Sequence, residues 1–191
     1  MCGQPDPADE TRLARLQQVL ISQAGPAFGL RPELPEDRDF SLRLYGVTRE
    51  AELARVDWPP AGKQTFVEQQ FQAQYQHYRQ HYPRALFLLA CHQGQPVGRL
   101  YLSPGETELR LMDIILMPEW RGQGLGRALL AAVLDWAISN GLDLSLHVEA
   151  DNPARRWYQR LGFDEVEMRG VYVFMRLKAD AQAEAQLKLI S

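Results

Sequence analysis

Between an apolar run, Leu109 to Met117, and an amphipathic stretch that begins at Leu125, the chain reads Arg121-Gly122-Gln123-Gly124-Leu125-Gly126. Three glycines at a strand-to-helix junction let the backbone approach a ligand closely and aim several unpaired amide N–H groups at one point. Such a point attracts phosphate. The following helix adds the positive end of its dipole, and Arg121 and Arg127 bracket the loop with full charges.

Spacing separates the classes of phosphate loop open to this segment. A P-loop needs Lys and then Ser or Thr after its last glycine, whereas Arg127-Ala128 follows Gly126 here. A dinucleotide fingerprint needs a glycine three residues after Gly124, where Arg127 stands, although Asp143 lies near the position of its acidic partner. The remaining pattern, Arg-x-x-Gly-x-Gly, is similar to the acyl-CoA pyrophosphate loop of the GNAT superfamily of N-acyltransferases. A second segment agrees: Asn152-Pro153-Ala154 opens a short helix that runs through Trp157-Tyr158 to Leu161-Gly162-Phe163, and it resembles the other GNAT signature, Asn-x-Ala-x-x-x-Tyr-x-x-x-Gly-Phe. Local chemistry explains the ends of that helix, with Asn152 as cap, Pro153 in the first turn and Gly162 at the left-handed stop. It does not explain the tyrosine.

The resemblance covers about Phe28 to Lys178. It implies an α/β (α+β) fold with a mixed, mostly antiparallel sheet of about seven strands, helices on both faces, and two central strands that splay apart. It also implies acetyl-CoA as co-substrate, with no metal, and direct attack by a primary amine in a ternary complex. The amine would belong to a small molecule or a peptide. By resemblance, the coenzyme would meet the backbone of Ile115, Leu116 and Met117, the loop Arg121, Gly122, Gln123, Gly124, Leu125, Gly126 and Arg127, and then Asn152, Ala154 and Tyr158. Tyr158 aligns with the tyrosine that protonates the leaving thiolate, and Glu108 with a base used by some members. Asp113 is a charge inside an apolar strand, so it is either catalytic or held in an ion pair, with an arginine as the natural partner.

Several residues carry two readings. His147 can reach the cleft from the second central strand or be a core histidine with one hydrogen bond. Gln70, Gln74 and His77 share one side of a long helix, as acceptor contacts or as a solvated face. Trp58 and Trp157 are expected to anchor packing, and Arg155 and Arg156 to lie near coenzyme phosphates or simply on the surface. Two other functions stay open: a noncatalytic acyl-CoA sensor that engages a partner through its termini, and a nucleotide-binding domain with an atypical glycine loop.

Composition narrows the field further. The chain has 191 residues, a net charge of -3 and a pI near 5.8, without the clustered basic excess of a nucleic-acid binder. No apolar run approaches the roughly 18 residues of a membrane span, so a cytoplasmic protein is expected. A homodimer is left open. Cys2 and Cys91 suggest neither a disulfide framework nor a metal knuckle, and Cys91 reads as a buried, inert thiol.

The order of elements follows from periodicity. Residues 1–25 form an extension, read as helical through Leu13, Leu16 and Leu20, and residues 26–178 form the acetyltransferase domain. Residues 179–191 form a tail or short helix. A first strand lies at Phe28–Arg31, a helix opens at Pro35 with Phe40, Leu42 and Leu44, and Thr48 is placed as the cap of another short helix. Val67, Phe71, Tyr75, Tyr78 and Tyr82 recur at helical spacing on a stripe expected to face inward. Two strands, Leu86–Cys91 and Val97–Leu102, precede the central strand Glu108–Met117. The helix from Gly124 to Ser139 carries Leu125, Leu129, Val133 and Ala137, then come a strand at Leu144–Val148 and a final hairpin turning at Arg169-Gly170.

Overall fold

Alternating side chains on strand β2 (Leu86–His92) show how the molecule is layered. Leu88 and Ala90 enter a large apolar core, while Leu89 and Cys91 enter a smaller one with Phe40 and Leu44. Since successive residues of a strand point to opposite faces, both faces of the sheet are covered. The structure is a computed structural model and describes residues 7–190. Those residues form a seven-stranded sheet in the order β1-β2-β3-β4-β5-β7-β6. The other strands are β1 (Phe28–Pro32), β3 (Gln95–Pro104), β4 (Glu108–Leu116), β5 (Asp143–Glu149), β6 (Asp164–Arg169) and β7 (Tyr172–Leu177). Only β4 and β5 run parallel; every other pair is antiparallel.

Helix α4 (Leu125–Asn140) crosses between those two parallel strands. The expected stripe of Leu125, Leu129, Val133 and Ala137 is buried, and so are Leu130, Leu134 and Trp136 on other sides of the helix. A helix buried nearly all round needs cover beyond the sheet. Helix α1 (Pro7–Ala24), with Leu16 and Leu20 fully buried, and helix α6 (Gln182–Ile190), with Ala185 and Leu189, provide it. Each such leucine contributes about 1.5–3 kcal/mol of burial, so both terminal segments share the main core. Residues 1–6, with Cys2, and residue 191 lie outside the described residues.

Helices α2 (Arg38–Leu53) and α3 (Pro60–His81) pack together on the opposite side. Thr48 does not start a new helix. Its hydroxyl donates to the Tyr45 carbonyl at 2.7 Å inside α2, a back-bond that leaves the helix unbroken. The α3 stripe is only partly inward: Phe71 is buried, whereas Val67, Tyr75, Tyr78 and Tyr82 are half-buried. Trp157 packs on the core, but Trp58 is 47% exposed and touches Phe66 edge-on. Helix α5 (Ala154–Leu161) completes the set, ending at Gly162 with φ +99°.

Strands β3 and β4 approach closely at Gly98. A Cβ there would stand 2.5 Å from the Ile115 carbonyl oxygen and 2.5 Å from Leu116 Cδ2, so a side chain must push the strands apart. Gly98→Ala is expected to cost about 2–3 kcal/mol, the scale of an overpacked core. In a thermal melt this lowers Tm by roughly 5–10 °C for a chain of this size.

Candidate active site

Pairing between β4 and β5 is short. Their registered partners run from Glu108 and Asp143 to Leu111 and Leu146, and beyond that point both strands continue without each other. The cause lies on the other edge of β4. Tyr101 pairs with Asp113, but its neighbour Leu102 pairs with Leu111, so Met112 is an extra residue, a bulge that bends β4 away from β5. The sheet opens into a V, as expected.

The bulge also resets which backbone groups face the opening. Met117 donates its amide to the Val97 carbonyl at 2.9 Å, so in the antiparallel alternation Ile115 also turns its N–H toward β3. The amides of Ile114 and Leu116 turn the other way, into the V. Arg121 Nε donates to the Leu116 carbonyl at 2.9 Å from that open side, which agrees with this orientation. Of the three backbone positions expected to meet the coenzyme, Leu116 therefore has the free amide, Met117 has committed its own to β3, and Ile114 is an addition.

A cleft of about 540 Å³ occupies the V. Its floor is Met112 to Ile115 of β4 and Leu146 to Glu149 of β5, and Tyr158 lines it from α5. Tyr45, Thr48 and Arg49 of α2 and Gln74, His77 and Tyr78 of α3 form the opposite wall. Gln74 and His77 thus reach the cleft, whereas Gln70 is exposed outside it.

Tyr158 is 6% exposed, with its ring between Trp157 and Phe163 at centroid distances of 5.4 and 5.5 Å. Burial first, and the Asp113 carboxylate second, hold the phenol above its ordinary range, so it keeps its proton at neutral pH. Asp113 lines the cleft but is ion-paired to Arg99, a guanidinium only 1% exposed that also bonds Gln74 at 3.0 Å. The arginine partner foreseen for that charge is therefore present. Glu108 stands outside this cleft, 3.2 Å from Arg176 and 3.6 Å from Arg110, and lines a smaller recess.

His147 does line the cleft. Its ring rests on Phe174 at 5.0 Å, and Arg169 Nη1 lies 3.5 Å from Nε2. Burial, then the charges of Arg110 and Arg169, lower its pKa from the ordinary 6.5. Only the alternation of β5 signalled this residue in the sequence; its neighbours across the V come from distant segments.

The glycine loop lies beyond the end of β4. Gly122 and Gly124 adopt φ +72° and +82°, a left-handed backbone that favours glycine, and Gly124 is the residue from which α4 starts. The first helical bond is from Ala128 N–H to the Gly124 carbonyl at 2.9 Å, so the amides of Leu125, Gly126 and Arg127 precede the helix ladder. Gly122, Gln123 and Gly124 are exposed, as are the side chains of Arg121 and Arg127, while the Leu125 side chain is buried in the core. A Cβ at Gly122 or Gly124 would meet nothing within 4 Å, which leaves room for a ligand over the loop. These are the features a diphosphate requires.

Asn152 Oδ1 accepts the Ala154 amide at 2.9 Å, so its side chain sets the start of α5, and both residues line the cleft. Arg155 is committed elsewhere: it forms a two-pronged pair with Glu165 at 2.5 and 2.7 Å and donates to the Ala150 carbonyl. Arg156 is exposed. No described helix is long and apolar enough to cross a membrane.

Comparison with known proteins agrees with this geometry. The ribosomal protein bS18-alanine N-acetyltransferase of Haemophilus influenzae is 31% identical over 90 residues, which are 47% of this chain and 62% of that protein. A mycothiol acetyltransferase of Corynebacterium aurimucosum is 46% identical over 59 residues, 30% of this chain and 19% of the other. The chain thus matches less than two thirds of the length of either relative. Among solved structures, the PaiA N-acetyltransferase of Thermoplasma acidophilum, in complex with coenzyme A, superposes with a TM-score of 0.62 at 18% identity, covering 79% of this chain and 98% of that one. The ribosomal-protein-S18-alanine N-acetyltransferase of Escherichia coli gives 0.54 at 22% identity, covering 80% and 94%. The profile of the "Acetyltransferase (GNAT) family" matches residues 50–163, more than half of the sequence and a span that holds the bulged β4, the glycine loop and Tyr158, so this chain belongs to the GNAT acetyltransferase family.

Proposed function

We propose that the protein transfers an acetyl group from acetyl-CoA to a primary amine held in the V between β4 and β5. The observation that carries this reading is that a phenol, Tyr158, and an imidazole, His147, line one cleft where the two central strands part. Acetyl-CoA would supply an acyl thioester whose carbonyl oxygen gains negative charge during transfer. The amides of Gly122 to Arg127, with Arg121 and Arg127, would hold its diphosphate, and the free amides of Ile114 and Leu116 would bind the arm and stabilise that charge.

His147 accepts a proton from the attacking amine as the new C–N bond forms. Tyr158 gives its proton to the sulfur as the C–S bond breaks, so protons balance over one turnover once the phenolate and the imidazolium exchange with solvent. The base role passes to His147 because Glu108 is held outside the cleft between two arginines and Asp113 is engaged by Arg99. The test is thiol release from acetyl-CoA on addition of an amine, matched by an equal amount of acetylated amine. Binding of acetyl-CoA without transfer to any primary amine would contradict this function.

A further inference from the structure

Charge in the cleft is not evenly compensated. Asp113 is matched by Arg99, whereas Glu149 shares Arg49 with Glu52, each at 3.3 Å, which leaves negative charge over at that end of the cleft. Arg110 differs. The carboxylate near it, Glu108, lies 3.6 Å away and is also shared with Arg176 at 3.2 Å. Two guanidiniums on one carboxylate leave one positive charge over, and of these three groups only Arg110 lines the main cleft. Its remaining hydrogen bond is to the Tyr82 hydroxyl at 3.3 Å. Arg110 is also, after burial, the first of the charges that lower the His147 pKa.

Register places Arg110 and His147 on one face of the sheet, about two residues apart along the strands. Arg110 pairs with Ser145 across β4 and β5, and His147 is two residues further along the same face of β5. Two residues of strand span about 7 Å. An α- or β-amino acid bridges such a gap when its carboxylate and its amine each add a hydrogen bond of roughly 3 Å. Arg110 and Tyr82 also border an adjoining recess of about 230 Å³, but Glu106 and Glu108 line it, so a carboxylate on Arg110 belongs on the main-cleft side.

On the acetyltransferase reading above, we propose that the acceptor is an amine bearing a carboxylate a few bonds from its nitrogen, and that Arg110 binds that carboxylate and so sets acceptor specificity. A planar guanidinium suits a carboxylate through two parallel N–H donors. A peptide N-terminus, an amine without a carboxylate or an amino-acid amide lacks this partner, and each is a poorer substrate.

The experiment measures kcat/KM by thiol release for free amino acids, their carboxamides, the decarboxylated amines and a tripeptide amide. It is run at about pH 8, where an imidazole is neutral whether or not Arg110 is present. Free acids are expected to exceed their carboxamides by about 10- to 100-fold, the range for a hydrogen-bonded charge. Arg110→Gln should reduce that ratio to less than about 3-fold, and Arg110→Lys, which keeps the charge without the fork, to an intermediate value. Arg176→Gln leaves Glu108 to Arg110 alone, so it removes the surplus charge and should lower the ratio part of the way. Equal use of acid and carboxamide by the wild type, or a preference that survives in Arg110→Gln, would overturn the assignment while leaving the transferase reading in place. Absence of transfer to every amine would remove both.

Discussion

Tyr158→Phe is expected to lower kcat by about 10²–10⁴-fold, the usual contribution of a positioned general acid. The loss follows from the single atom removed. Phenylalanine keeps the ring between Trp157 and Phe163, and the hydroxyl has no hydrogen-bond partner among the described residues, so its removal strands no buried group. Stability should therefore change by no more than about 1 kcal/mol, and the affinity for coenzyme should hold, because the proposed diphosphate contacts lie on the separate glycine loop. Rapid mixing with acetyl-CoA and an accepted amine, together with a thermal melt, separates these effects. A variant with wild-type kcat would take Tyr158 out of the chemistry; one with low kcat and a large fall in Tm would make it structural.

His147→Gln should produce a loss of similar size, about 10²–10⁴-fold at neutral pH, together with a change in the pH profile. Burial and the charges of Arg110 and Arg169 lower the His147 pKa, against the weaker opposing effect of Glu108 and Glu167. The neutral, proton-accepting form therefore prevails throughout the neutral range. Wild-type kcat/KM, expressed per unprotonated amine, is expected to be flat near neutrality and to fall only on the acid side of 6.5, through the lowered pKa. In His147→Gln that acid limb should disappear. Linkage gives a second readout. A folded-state pKa below the unfolded value means that the unfolded chain binds protons first, so the stability contributed by neutral His147 is present above 6.5 and is lost as pH falls through the folded pKa. An acid limb that persists in the variant would assign the base elsewhere.

How much of this was legible in the sequence depended on the range of the forces involved. The glycine loop, the α5 caps and the stripe of α4 are local: left-handed backbone, a side-chain cap and a 3.6-residue period involve near neighbours, and each appears where the residues placed it. The V was expected from resemblance, but its cause was not readable. Whether Met112 or a neighbour is the extra residue depends on how β3 registers against β4, and that shift decides that Leu116, rather than Met117, turns its amide into the opening. Asp113 was identifiable as a charge in need of a partner; Arg99, 14 residues away, could be named only once the strands were paired. Thr48 and Trp58 were misread because propensity competes with packing. A threonine inside a helix can bond backward, and a tryptophan beside prolines need not be covered.

The central claim is that coenzyme docks where β4 turns into α4, and a melt with and without acetyl-CoA tests it most directly. At a ligand concentration about 100 times the Kd, binding to the folded state alone adds about 2.7 kcal/mol, or roughly 5–10 °C in Tm for a chain of this size. Acetyl-CoA should give that shift, NAD and ATP should not, and Gly124→Asp should lose most of it, because that residue at φ +82° brings both a disfavoured backbone and a like charge to the diphosphate. A shift with NAD instead of acetyl-CoA, or an undiminished acetyl-CoA shift in Gly124→Asp, would contradict the account.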